Sequence, residues 1–238
     1  MKTIIWKEEQ GLLVGVVAAF VMLCFVEARL PVVTMLQGTA IETLLVSDDL
    51  KNIFSGLLVS IIAAYVFYIF IDVVPRFRKH RDTMMVLNAL LCSILDSYNR
   101  CRVFGHETAL PYVDTSALSE TWLADNREKL KQSQSLYLPL LLAMQTAHTR
   151  QESFQHSLIL ASSLSPKHAM QWLVILDKVR LFAESYGENP EVPMGLTQLV
   201  DSDSDDNPVK DFKSTLNFRM LEFIEEVENW IKVENQGK

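Results

Sequence analysis

The chain has 238 residues, 49% of them apolar and 21% charged, with three cysteines and a formal charge of −7. The acidity sits in residues 82–238, which carry 14 Lys and Arg against 22 Asp and Glu, a formal −8; residues 1–81 carry 8 against 7. So acidic a segment excludes direct nucleic-acid binding by that part, because phosphate affinity needs concentrated basic charge.

Two uncharged runs come first, Gly11–Val26 and Phe54–Ile71, 16 and 18 residues long. Crossing ~30 Å of hydrocarbon takes about 20 residues at ~1.5 Å each. Flanking residues supply the difference: Ile4, Ile5 and Trp6 or Ala28 and Leu30 for the first, Val73 and Val74 for the second. Both runs are apolar on every face, which demands burial all round and points to lipid. The first run has some features of a signal peptide, with Lys2 and Lys7 before it and Val26-Glu27-Ala28 after it. Glu8 and Glu9 interrupt that basic lead, so the run is read as an anchor.

Basic residues near the spans set the orientation. Arg76, Arg78, Lys79 and Arg81 follow the second run, whereas the connecting loop, residues 28–53, offers only Arg29 and Lys51. Cytoplasmic flanks are the richer in Lys and Arg, so both termini are expected in the cytoplasm and the loop outside. That loop is unusually apolar and is expected to lie at the lipid interface. Ser47, Asp48 and Asp49 are candidate caps that would start the second helix ahead of its apolar run.

Small residues recur every four positions, as Gly11, Gly15 and Ala19 in the first span and Gly56, Ser60 and Ala64 in the second. Such faces let helices approach closely, which drives association in lipid. In an antiparallel hairpin the two motifs lie at opposite depths, so they are expected to meet another copy and give a homo-oligomer. Tyr65, Tyr68 and Asp72 fall on one helical face. Tyr65 lies about 16 Å along the helix from Arg76, too deep for an interfacial aromatic. It reads either as a buried hydroxyl bonded to a neighbouring helix or as part of a wet, pore-like face. Asp72 is expected to reach the interface or pair with Arg76, and the basic cluster to face anionic lipid.

From residue 82 onward the pattern is helical. Leu87, Leu90, Leu91, Ile94, Leu95 and Tyr98 form a stripe of three-to-four spacing, with Gly105 as the stop and Pro75 as a kink or boundary upstream. Ser116 is expected to cap a helix to about Gln134, and a second helix is expected from about Leu136 to Leu164. Ser165-Pro166 opens a third that Gly187 ends, and Asn207-Pro208 opens the last. On that last helix Phe212, Leu216, Phe223, Val227 and Trp230 share one face, with Glu222, Glu225, Glu226 and Glu228 largely off it. The fold class expected is all-α: a two-helix transmembrane hairpin followed by a cytoplasmic bundle of about five helices, large enough to bury its own core.

Residues 188–207 read as an acidic loop. Asp201–Asp206 looks like half a calcium loop, but Asp206 stands where that loop needs Gly, and Phe212 where it needs Glu. The five histidines show no ligand spacing, and no nucleophile elbow or phosphate loop occurs. The cysteines Cys24, Cys92 and Cys101 are expected to be buried thiols. Neither an enzyme nor a cofactor is expected.

The order span, loop, span, with Tyr65–Asp72 running into Pro75-Arg-Phe-Arg-Lys-His-Arg81 and then a small helical tail, resembles the two-transmembrane effectors of bacterial antiphage systems of the retron type. The resemblance implies an inner-membrane toxin, held inactive by a reverse transcriptase with its DNA–RNA product and released to damage the membrane. The acidic tail would be the surface that such a basic ribonucleoprotein covers. The competing expectations are a membrane-anchored scaffold or regulator whose tail binds a cytoplasmic protein, and a subunit of a larger transporter.

Overall fold

Periodic apolar residues dominate the chain, and every regular element among the described residues is helical. The computed structural model describes residues 2–27, 48–100, 108–191, 200–202 and 207–235. These fall into two compact units, Met1–Lys79 and His80–Lys238.

The first unit holds α1 (Lys2–Glu27) and α2 (Asp48–Tyr68), which pack on each other, Ala19 of α1 and Leu58 of α2 being buried. From α2 the backbone stays helical through a π-turn, Ile69–Val73, into α3 (Val74–Arg100). One helical run, Asn52–Arg100, is long and apolar enough to cross a membrane, and a shorter apolar stretch, Gln10–Cys24, lies within α1. The apolar loop expected to lie at the lipid interface falls mostly outside the described residues, as do Ser47, Cys101 and Gly105.

Pro75 reads in the sequence as a kink or boundary, and the backbone stays helical on both sides of it. The π-turn supplies the reason. Proline lacks an N–H and its ring collides with the carbonyl four residues back. Just before it the backbone widens, and Val74 N–H bonds Ile69 O five residues back rather than four.

The second unit is built from residues 80–100 of α3 and from α4 (Glu120–Lys131), α5 (Tyr137–His156), α6 (Leu158–Leu164), α7 (Pro166–Glu184) and α8 (Lys210–Asn235). All six residues of the Leu87–Tyr98 stripe are buried. On α8, Leu216, Phe223, Val227 and Trp230 are fully buried, and Phe212 packs against the same core. Aromatic rings fill its centre. Trp172 stacks on Phe154 with centroids 5.7 Å apart and meets Trp230 edge-on at 5.1 Å. Such pairs add about 0.5–1.5 kcal/mol each beyond their burial.

Two boundaries differ from the sequence reading for local reasons. Ser119, not Ser116, caps α4, its Oγ accepting from Trp122 N–H; Asp114 has already taken the Ser116 N–H to close a 3-10 turn at Thr115–Leu118. The helix expected over 136–164 is broken at Ser157. The Ser157 hydroxyl donates to Phe154 O at 2.6 Å, and the Trp172 indole N–H approaches both that carbonyl and Ser157 Oγ. A side chain competing for helix carbonyls interrupts the ladder there. Pro139 is tolerated in the first turn of α5, where backbone N–H groups have no helical partner anyway.

Candidate functional site

The residues singled out in the first unit form two groups. Of the small residues, only Ala19, 7% exposed, is buried between helices. A Cβ built on Gly11, Gly15 or Gly56 would meet no atom within 4 Å. Ser60 and Ala64 are likewise exposed, and Ser60 Oγ donates to Gly56 O at 2.8 Å on its own helix. Apart from Ala19, these positions are therefore open among the described residues. Large apolar side chains around them, among them Leu12, Val14, Phe20, Leu57 and Phe67, are also exposed.

The polar group lies within the long helical run, in the turns just before Pro75. The rings of Tyr65 and Tyr68, both half-buried, lie 6.3 Å apart and tilted by 33°. Asp72 sits inside the π-turn, its carboxylate 2.5 Å from the Arg76 guanidinium one turn on. This is the pairing expected of Asp72, and it offsets the charge of a carboxylate next to an apolar run. Arg78, Lys79 and Arg81 are exposed, and Arg81 also approaches Asp82 at 3.3 Å. Opposite charges this close and this exposed to solvent contribute little stability.

In the second unit the acidic side chains of α8 are largely engaged at home. Glu222 pairs with Lys178 on α7 at 2.5 Å and with Arg219 at 3.0 Å. Burial pushes its carboxyl up, but the two cations outweigh that and hold it below the ordinary carboxylate range. Glu226 accepts from Gln171, and Glu228 from Arg127 at 2.6 Å. The acidic loop is tied down at its described ends: Asp201 accepts from Tyr137 N–H and from Lys213, and Asn207 donates to Val200 O and Ser202 O.

Sequence reasoning missed a buried polar cluster on α3. Asp96, 1% exposed, pairs with Arg100 at 2.6 Å and accepts from Thr108 at 2.8 Å, and Arg150 donates to Thr108 O. Next to it, Ser97 and Thr146 share a hydrogen bond. Cys92 lies in the same region; burial, then Asp114 and Asp96, push its thiol up to about 12. It is a packed, inert thiol, whereas Cys24 lies on the exposed apolar surface of α1. No sequence signal marks this cluster, because Asp96 looks like any polar residue beside an apolar stripe. Three of the described histidines make ring contacts: His168 meets Trp230 and His80 edge-on, and His148 stacks on Tyr186. Among the described residues no group of three His, Cys, Asp or Glu side chains could hold a metal ion.

A shallow cavity of about 210 Å³ lies between α5 and α7, with Gln151, Gln155, Leu173, Leu176, Asp177 and Arg180 among its walls. It contains no nucleophile and base within reach of each other. Compared with known proteins, the chain stands by its own chemistry: no family model, no curated protein and no solved structure matches it.

Proposed function

We propose that this chain is a two-pass inner-membrane effector of antiphage defence, with α1 and α2 as a transmembrane hairpin and both termini cytoplasmic. Released from a partner complex, copies assemble through the glycine faces and permeabilise the membrane. The observation that carries this reading is the pairing of exposed apolar helix surfaces with Gly11, Gly15 and Gly56, none of which has a described neighbour within 4 Å of a built Cβ. Lipid covers the first, since apolar surface left in water costs about 25 cal/mol per Å². A neighbouring copy covers the second. Tyr65, Tyr68 and Asp72 provide the polar side chains a wet path needs. The partner fits the resemblance to retron effectors, a reverse transcriptase with its DNA–RNA product, which would bind acidic groups of the tail outside the ion pairs of α8.

A second reading, a membrane-anchored scaffold or regulator, is favoured by exposed apolar side chains on the second unit. Tyr112 is 77% exposed and Ile159 75%. Such residues are the kind that a protein partner buries.

Expression of the chain alone in bacteria, followed with a potential-sensitive dye, separates the two. The effector depolarises the cell rapidly, and Tyr65→Phe or Asp72→Asn weakens the response. Unchanged potential and growth at high expression would refute the effector. Release of the intact chain by carbonate washing would refute membrane insertion itself.

A further inference from the structure

We infer that the π-turn Ile69–Val73 is a rotary joint in the long helix, held in its widened register by Pro75 and latched by the Asp72–Arg76 pair. The inference rests on the membrane reading of this helix. A π-turn takes more residues per turn than an α-helix, so the helix after it is out of step with the helix before it by about one residue, or ~100°. Whether the turn is present therefore decides which way the Tyr65–Tyr68 face points relative to the basic residues at Arg76 and Arg78.

Three observations place the joint here. No residue of the turn is buried, and Phe70 and Ile71 are 68% and 73% exposed, so packing does not hold its shape. Pro75 supplies no N–H for the α-helical bond to Ile71 O, and in α register its ring would strike that carbonyl. The widened turn avoids both penalties, which makes it the resting state. Across the end of the turn runs the 2.5 Å contact of Asp72 with Arg76, a bond local to the joint that can open without disturbing either unit's core. Opening it removes the contact that spans the turn, so the Tyr65–Tyr68 face can turn relative to Arg76 and Arg78 at this joint.

The test is the periodicity of lipid exposure. Nitroxides are placed singly at 60–68 and 74–82 of the full chain, with the three native cysteines replaced by alanine, in phospholipid vesicles. Oxygen collision rates then report which positions face lipid. In the native sequence the two stretches each follow a 3.6-residue period but are out of step by one residue. In Pro75→Ala, which restores the missing N–H, they fall into step. Asp72→Asn, with the latch open, blurs the maxima on the 60–68 side. A native helix already in step, or a one-residue slip that survives Pro75→Ala, overturns the joint. Collision with aqueous nickel throughout 60–68 would instead show that the helix is not in lipid, a failure of the membrane reading.

Discussion

Gly15→Leu separates association from folding, because the structure fixes its effect on one chain. The exposed Gly15 has no neighbour within 4 Å of a built Cβ, so a leucine there meets no clash within the molecule. Helix propensity favours the change by up to about 1 kcal/mol, since glycine in a helix interior is that much worse than alanine and leucine nearly equals alanine. Between copies the sign reverses. A bulky side chain forced into a close contact costs about 1–3 kcal/mol, and a symmetric pair meets it twice. The net expectation is association weaker by about 2–6 kcal/mol, some 30- to 10⁴-fold, with helicity unchanged. Sedimentation in mild detergent reads the mass, and circular dichroism the fold. A native chain that is monomeric, or a variant that stays assembled at the native mass, would refute the assignment of this face to a neighbouring copy.

Asp96→Ala breaks a buried ion pair with Arg100 and strands the Thr108 hydroxyl, so it should cost about 3 kcal/mol and lower the melting temperature by several degrees, measured by thermal unfolding of the full chain in detergent. Glu222→Gln should cost about 1–3 kcal/mol at neutral pH. The Glu222 carboxyl is held low in the folded chain, so its contribution is present above the ordinary carboxylate pKa and is lost as pH falls through the lower folded value. Unfolding curves of variant and native chains should therefore converge in acid, and a constant gap would count against the ion pair. Cys92, with its thiol pushed up to about 12, should resist alkylation at pH 8 in the folded chain and react freely in denaturant, as followed by mass spectrometry of its peptide.

Local patterns were legible because they need no partner. The uncharged runs, the stripe Leu87–Tyr98 and the Ser165-Pro166 start report helix and buried face through spacing and capping alone. The Asp72–Arg76 pair was legible for the same reason, both ends lying on one helix a turn apart. The break at Ser157 was not, because it depends on Trp172 arriving from the next helix. The π-turn was not legible either: Pro75 announces a disturbed ladder, but only the folded backbone shows the widened turn.

The candidate site divides in the same way. The glycine spacing marks a face for close approach, and only the packing of α1 on α2 reveals that Ala19 is covered while Gly11, Gly15 and Gly56 are left without a described neighbour. The glutamates of α8 look like free charge in the sequence. Their partners Arg127 and Lys178 lie 101 and 44 residues away and come into reach only when the bundle closes. Composition and short spacings thus determined helix, apolar span and charge balance, since those follow from each residue's own transfer and backbone energetics. Which charges are spent internally, which thiol is sealed and which faces remain unfilled were decided by contacts between distant segments, whose closure no single stretch of sequence encodes.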